Sequence, residues 1–205
     1  MGRRKIVNLE QKIFVAVLRM NAKEGFSNIS TKSMAKKLHV SEPVFFSHFL
    51  TKQGLLNATF DYAWKQIFPN FGIPTSLMES DFDKGFKIYQ TKNDVILAKW
   101  PNEILFVHDF LNASHGDIAH ADQTMKETMD MLKGFFAAAD PQLSPYDLDI
   151  LARHTLKLSL GYLVEIIRGN LVRSQRSDAL YYTLRHNGYL ALRQTNLSLY
   201  KGPEK

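Results

Sequence analysis

Between Ser30 and Lys52 the chain gathers hydroxyls, cations and an imidazole near the starts of short apolar segments: Ser30, Lys32, Ser41, Ser47, His48 and Lys52. Side chains of these types at this spacing suit anion binding rather than bond making. They donate hydrogen bonds or lend positive charge, and a row of them across helix N-termini fits the phosphates of a polynucleotide. Ser30, Ser41, His48 and Lys52 are the candidates for phosphate contact, and Lys32 is counted with them. Val44 and Ser47 point outward from their short segment if Phe45 and Phe49 point inward, so Val44 could meet a thymine methyl. Phe46 is expected against the sugar–phosphate edge. Glu42 repels phosphate unless it accepts from a cytosine amino group.

These residues need elements to hold them. Ile13, Ala16, Val17 and Met20 repeat at helical spacing and predict a helix over 9–23, with Asn8 as cap and Gly25 as stop. Ser30 caps a second helix, 31–38, that turns Met34, Ala35 and Leu38 inward. His39-Val40 makes a tight turn, and Ser41 caps a third helix, 42–48, with Pro43 in its first turn. A fourth helix runs from about Lys52 to Phe68. The turn position would favour glycine for its positive φ; histidine is tolerated there at some cost.

Charge marks the same region. Residues 1–65 hold 11 Lys+Arg against 4 Asp+Glu, a net of +7, whereas 66–205 hold 15 against 16. A basic head on a near-neutral body implies a polyanion partner for the head alone, although a solvated basic face would read the same. The absence of cysteine rules out disulfides, thiol catalysis and zinc-finger ligation, and suits a cytoplasmic location. No apolar run is long enough to cross a membrane, so no membrane partner is expected.

Beyond the head, FPNFGIPTSLMES (68–80) is the clearest boundary. Helical patterns return over 81–99, 102–114, 117–138, 145–173 and 177–199, with no strand alternation, so the expected fold is all-α. The segment LDILARHTLKLSLGYLVEIIRGNLV is apolar on more than one face. It is expected to pack with 177–199 against a symmetry mate as a four-helix homodimer interface; a core helix of a monomer is the alternative.

The ordered combination Gly25-Phe26, Ala35-x-x-Leu38-x-Val40-Ser41 and Phe45-Phe46-x-His48-Phe49-x-x-Lys52, with Ile13, Ala16, Met34, Pro43 and Leu55-Leu56, resembles the TetR family of bacterial transcriptional regulators over residues 9–60. The chain departs from that pattern at His39, Asn21, Phe46 and Glu42. The resemblance implies a helix-turn-helix DNA-binding domain at 1–52, a connecting fourth helix at 52–68 and a helical ligand-binding and dimerisation domain at 69–205. It implies a homodimeric repressor on palindromic double-stranded DNA, released when a small-molecule effector re-spaces the recognition helices from the roughly 34–36 Å of successive major grooves.

Trp100, Phe106, Phe110, Met125, Met129, Leu158 and Tyr162 could line the effector pocket, with His108, His154 and Glu165 as polar anchors. Core packing explains the apolar ones equally well. His115 and His120 lack a metal-binding pattern, and no nucleotide or hydrolase fingerprint occurs, so no metal, cofactor or enzyme activity is expected. An enzyme using His108 or His154 as general base has no support in the spacing. A protein-interaction regulator or coactivator with weak or no DNA binding stays open because of Glu42, Phe46 and His39.

Overall fold

Alternation between apolar and polar faces at helical spacing dominates the chain, and the computed structural model answers it with ten α-helices among the described residues. These residues are 9–70, 82–114 and 116–194; the side chains of Val44 and Phe45 lie outside them, as do Asn8, His115 and positions 71–81. The helices are α1 (Leu9–Glu24), α2 (Thr31–Leu38), α3 (Glu42–Phe49), α4 (Lys52–Ile67), α5 (Phe82–Lys99), α6 (Pro101–Asn112), α7 (Ile118–Thr124), α8 (Lys126–Ala139), α9 (Pro145–Ile167) and α10 (Gln175–Gln194). The all-α expectation holds.

By packing, the chain divides into two units. The first joins residues 1–70 with 95–125, and the second joins 71–94 with 126–205. Helices α6 and α7 therefore pack with the helix-turn-helix, although they follow the proline-rich boundary in sequence.

In the first unit, Ile13, Val17, Leu18 and Met20 of α1 are buried beside Leu55, Phe60 and Ile67 of α4 and Ile104, Phe106 and Phe110 of α6. Aromatic rings fill the middle. Phe110 lies 4.6 Å from Phe60, centroid to centroid, and Phe26 lies 5.5 Å from Phe106. Asn21, where the family pattern places an aromatic, is buried and donates to Asp109 Oδ2 on α6 (3.1 Å). A polar link to α6 thus replaces an apolar one. Gly116 is required by space, since a Cβ there would stand 2.0 Å from the Phe110 carbonyl oxygen.

The predicted helix 117–138 is broken at Met125. Its first part is tied to α4: His120 Nε2 and Thr124 Oγ1 lie 2.8 and 2.6 Å from Asp61 Oδ1, and Asn57 donates to Asp117 Oδ2 (2.9 Å). The backbone N–H of His120, and then Asn57, hold the Asp117 carboxyl below its usual pKa. These tertiary ties hold α7 against α4, and helical spacing alone does not contain them.

In the second unit, Ser144 and Asp147 form a capping box that starts α9. The predicted helix 145–173 stops earlier, at Ile167, because Gly169 takes φ +76 and the amides of Asn170 and Leu171 fold back onto the Glu165 carbonyl. Ser174 and Ser177 then cap each other's amides and start α10 at Gln175, two residues before the expected position. Beside this junction Asp178, 2% exposed, accepts from Tyr162 Oη (2.6 Å) and from Arg173 Nη2 (2.9 Å). Burial, and then the Asp178 carboxylate, push the Tyr162 phenol up to about 12.

Candidate nucleic-acid interface

The interface is built from three consecutive helix starts in the first unit. Ser30, in extended backbone, caps α2 by accepting from the Ser33 amide (3.4 Å). Met34 and Ala35 turn into the core, which leaves Lys32 exposed on the outer face. The chain then reverses at His39, whose backbone is left-handed (φ +53, ψ +38), and the Val40 amide closes onto the Ala35 carbonyl (3.0 Å). The conformation that favours glycine is therefore present with histidine holding it.

Ser41 is the N-cap of α3, yet its hydroxyl makes no capping hydrogen bond. The side chain is exposed, and the first amides of α3 open toward the same side with Pro43 in the first turn. That end of the helix offers N–H donors, a free hydroxyl and the positive end of the helix dipole to an anion. Glu42 is half-buried at the same end, while Phe46 and Ser47 are exposed farther along α3, Phe46 by 43%. The Val44 side chain lies outside the described residues, so its base-reading role stays an expectation.

Aromatic contacts fix the orientation of α3. Phe49 packs 5.7 Å from Phe14 of α1, and Phe14 packs 5.2 Å from Tyr62 of α4. His48 directs Nδ1 to Glu10 Oε1 of α1 (3.1 Å). That carboxylate engages the imidazole expected to meet phosphate; both groups remain solvent-accessible, at 35% and 60%.

Leu50 turns the chain into α4 with φ +58 and ψ −42, and the Thr51 amide reaches the Phe49 carbonyl. Backbone of this kind is strained for a leucine. Thr51, missing from the sequence-based set, caps α4 by accepting from the Gly54 amide (2.9 Å). Its signal was a threonine just ahead of a lysine and an apolar run. Gly54 gives the junction room, because a Cβ there would meet the Phe49 carbonyl oxygen at 2.2 Å. Lys52 is exposed in the first turn of α4.

Ser30, Lys32, Ser41, Glu42, Phe46, Ser47, His48 and Lys52 thus all belong to one helix-turn-helix and its exit. Residues 13–59 match the sequence model of the bacterial regulatory proteins, tetR family. Over these residues the chain resembles the TetR family of regulators. The family is one of regulators rather than enzymes. Solved structures of the same fold cover both units of this chain. BioQ of Mycobacterium smegmatis is 20% identical over 89% of this chain and 98% of its own, with a TM-score of 0.58. BioQ with its natural double-stranded DNA operator gives 0.56 at the same identity and coverage. AibR in complex with isovaleryl coenzyme A and operator DNA is 16% identical over 87% of this chain and 96% of its own, with a TM-score of 0.59. Among curated proteins, no sequence match is found.

The candidate pocket residues fall in both packed units. Trp100, Phe106, His108, Phe110 and Met125 belong to the first, where Phe106 and Phe110 are fully buried among Phe26 and Phe60. His108 Nδ1 lies 3.1 Å from Asp109 Oδ1. Met129, His154, Leu158, Tyr162 and Glu165 belong to the second. There Tyr162 is committed to Asp178, whereas His154 and Glu165 are exposed and Leu158 is 61% exposed on α9. No described helix is long and apolar enough to cross a membrane, and no group of three or more metal-ligating side chains occurs among the described residues.

Proposed function

We propose that this protein is a ligand-responsive, DNA-binding transcription regulator that acts as a homodimer on a palindromic operator, most simply as a repressor released by a small-molecule effector. The observation that carries the reading is the open start of α3. Ser41 leaves its hydroxyl uncommitted at a helix N-terminus held by the His39 turn and the Phe14–Phe49 contact, with Lys52 at the next helix start. BioQ and AibR, of the same fold, were solved with operator DNA, which supports the same partner for this chain.

A pair of such heads is supported by the second unit. On α9, Tyr146, Ile150 and Leu158 are 56%, 37% and 61% exposed, and on α10 Leu180 and Leu184 are 59% and 72% exposed. Apolar side chains at this spacing and exposure call for a partner, and a second copy supplies a matching face. The effector is a small molecule taken up by the helical domain after residue 69, and its binding lowers DNA affinity by favouring another spacing of the heads.

The test is retention of fragments from a genomic DNA pool across a salt series. Selective retention whose affinity drops steeply between about 50 and 200 mM salt supports the reading. Absence of selection at low salt, together with no effect of Lys52→Ala, would reject it. That result would favour the second reading, a protein-interaction regulator of the same fold with weak or no DNA binding. The contact between His48 and Glu10 is the observation behind that alternative.

A further inference from the structure

We propose that the outer face of α1 and the end of α2 form a docking groove for an acidic amphipathic helix of another protein, separate from the edge assigned to DNA. The groove encloses about 580 Å³ within the first unit. Lys12, Arg19 and Lys23 run along α1 on one side, and Lys37 closes it from α2. All four are exposed, while the floor is apolar and half-buried at Val15, Ala16 and Leu38. Spacings of seven and four residues place the three α1 cations on one helix face. They cover three turns, about 16 Å of axis.

The charge of the head divides between two places. Of the eight lysines and arginines between positions 9 and 70, four line this groove, and only Lys32 and Lys52 belong to the candidate reading set. Helix α2 contributes to both. Its capped start, at Ser30, belongs to the reading edge, and Lys37-Leu38 lie at its other end, about 12 Å along the axis. Lys37 thus borders the start of α3 across the His39 turn, whereas Lys12, Arg19 and Lys23 lie on α1.

The chemistry of the groove selects its occupant. A nucleic-acid backbone uses the cations but has nothing to place on Val15, Ala16 and Leu38. A neutral apolar helix uses the floor and leaves Lys12, Arg19 and Lys23 unused; Lys37 already pairs with Glu24 (2.8 Å). An amphipathic helix of about three turns, with Leu or Phe along one face and Asp or Glu beside it, fills the floor and pairs the rim together.

The experiment is an anisotropy titration of the full chain with two labelled peptides of about 18 residues. One carries Leu every three to four positions flanked by Glu; the other has the same composition scrambled. Saturable binding of the patterned peptide is expected, about tenfold or more tighter than the scrambled one. Arg19→Glu with Lys23→Glu is expected to weaken it about tenfold or more while retention of genomic DNA fragments stays unchanged. If the double variant loses its helical circular dichroism, Lys12→Glu gives the same reading. Equal binding of both peptides, or charge reversal without effect on the patterned peptide, overturns the proposal. A charge-reversed variant that stays folded and loses DNA retention overturns it too, by making the groove part of the nucleic-acid surface.

Discussion

The two packed units treat apolar surface differently. The first gathers its aromatic rings inside: Phe26, Phe60, Phe106 and Phe110 meet at its centre, each under 10% exposed, and polar ties fasten its helices to one another, with Phe46 and Leu50 exposed at the helix-turn-helix. The second leaves Leu158, Leu180 and Leu184 more than half exposed on α9 and α10. On the proposed function, a head that reads DNA has to present a fixed geometry, so its stability is internal, while a face that a second copy covers stays open until then and its stability is shared.

Two substitutions probe that contrast directly. Phe110→Ala in the first unit should cost about 3–5 kcal/mol, because a fully buried ring with three aromatic neighbours leaves a cavity. Urea unfolding measures it as a lowered midpoint. Leu158→Glu with Leu184→Glu in the second unit should change monomer stability by less than about 0.5 kcal/mol per site, as expected for exposed positions. Sedimentation should nonetheless show loss of the dimer. A double variant that still sediments as a dimer would remove the assembly role from this face.

Smaller effects sharpen the picture within each unit. Lys52→Ala should weaken DNA retention at every sequence and lower the salt slope by about one, without moving the unfolding midpoint. His39→Gly should raise stability by up to about 1 kcal/mol, because φ +53 is costly for a side chain bearing Cβ. A loss of stability there would mean the imidazole makes contacts that outweigh the backbone strain. The smallest effect concerns alkaline pH. An unfolded tyrosine loses its proton near 10, whereas folded Tyr162 keeps it to about 12. Its contribution to stability is therefore present below about 10 and is lost as pH rises toward 12. Tyr162→Phe should flatten that part of the stability profile, measured by thermal melts across the alkaline range.

Local signals carried much of this fold. Capping serines, Pro43, Gly25 and the spacing of apolar residues placed α1 to α4 within a residue or two, because caps and helical periodicity act over a single turn. Ser30, Ser41 and Lys52 could be placed at helix starts for the same reason. The break at Met125 and the early end of α9 were not legible. The first depends on Asp61 reaching across to His120 and Thr124, sixty residues away, and the second on a glycine within an otherwise helical pattern.

The sequence by itself determined the helical class, the helix-turn-helix and the concentration of positive charge in the head, because these follow from neighbours three or four positions apart. Only tertiary structure decided that α6 and α7 pack with the head and that His48 meets Glu10. It also divided the supposed pocket residues between two units and set four cations around a groove between α1 and the end of α2. Those outcomes depend on which helix faces compete for burial, and residues far apart in the chain settle that competition.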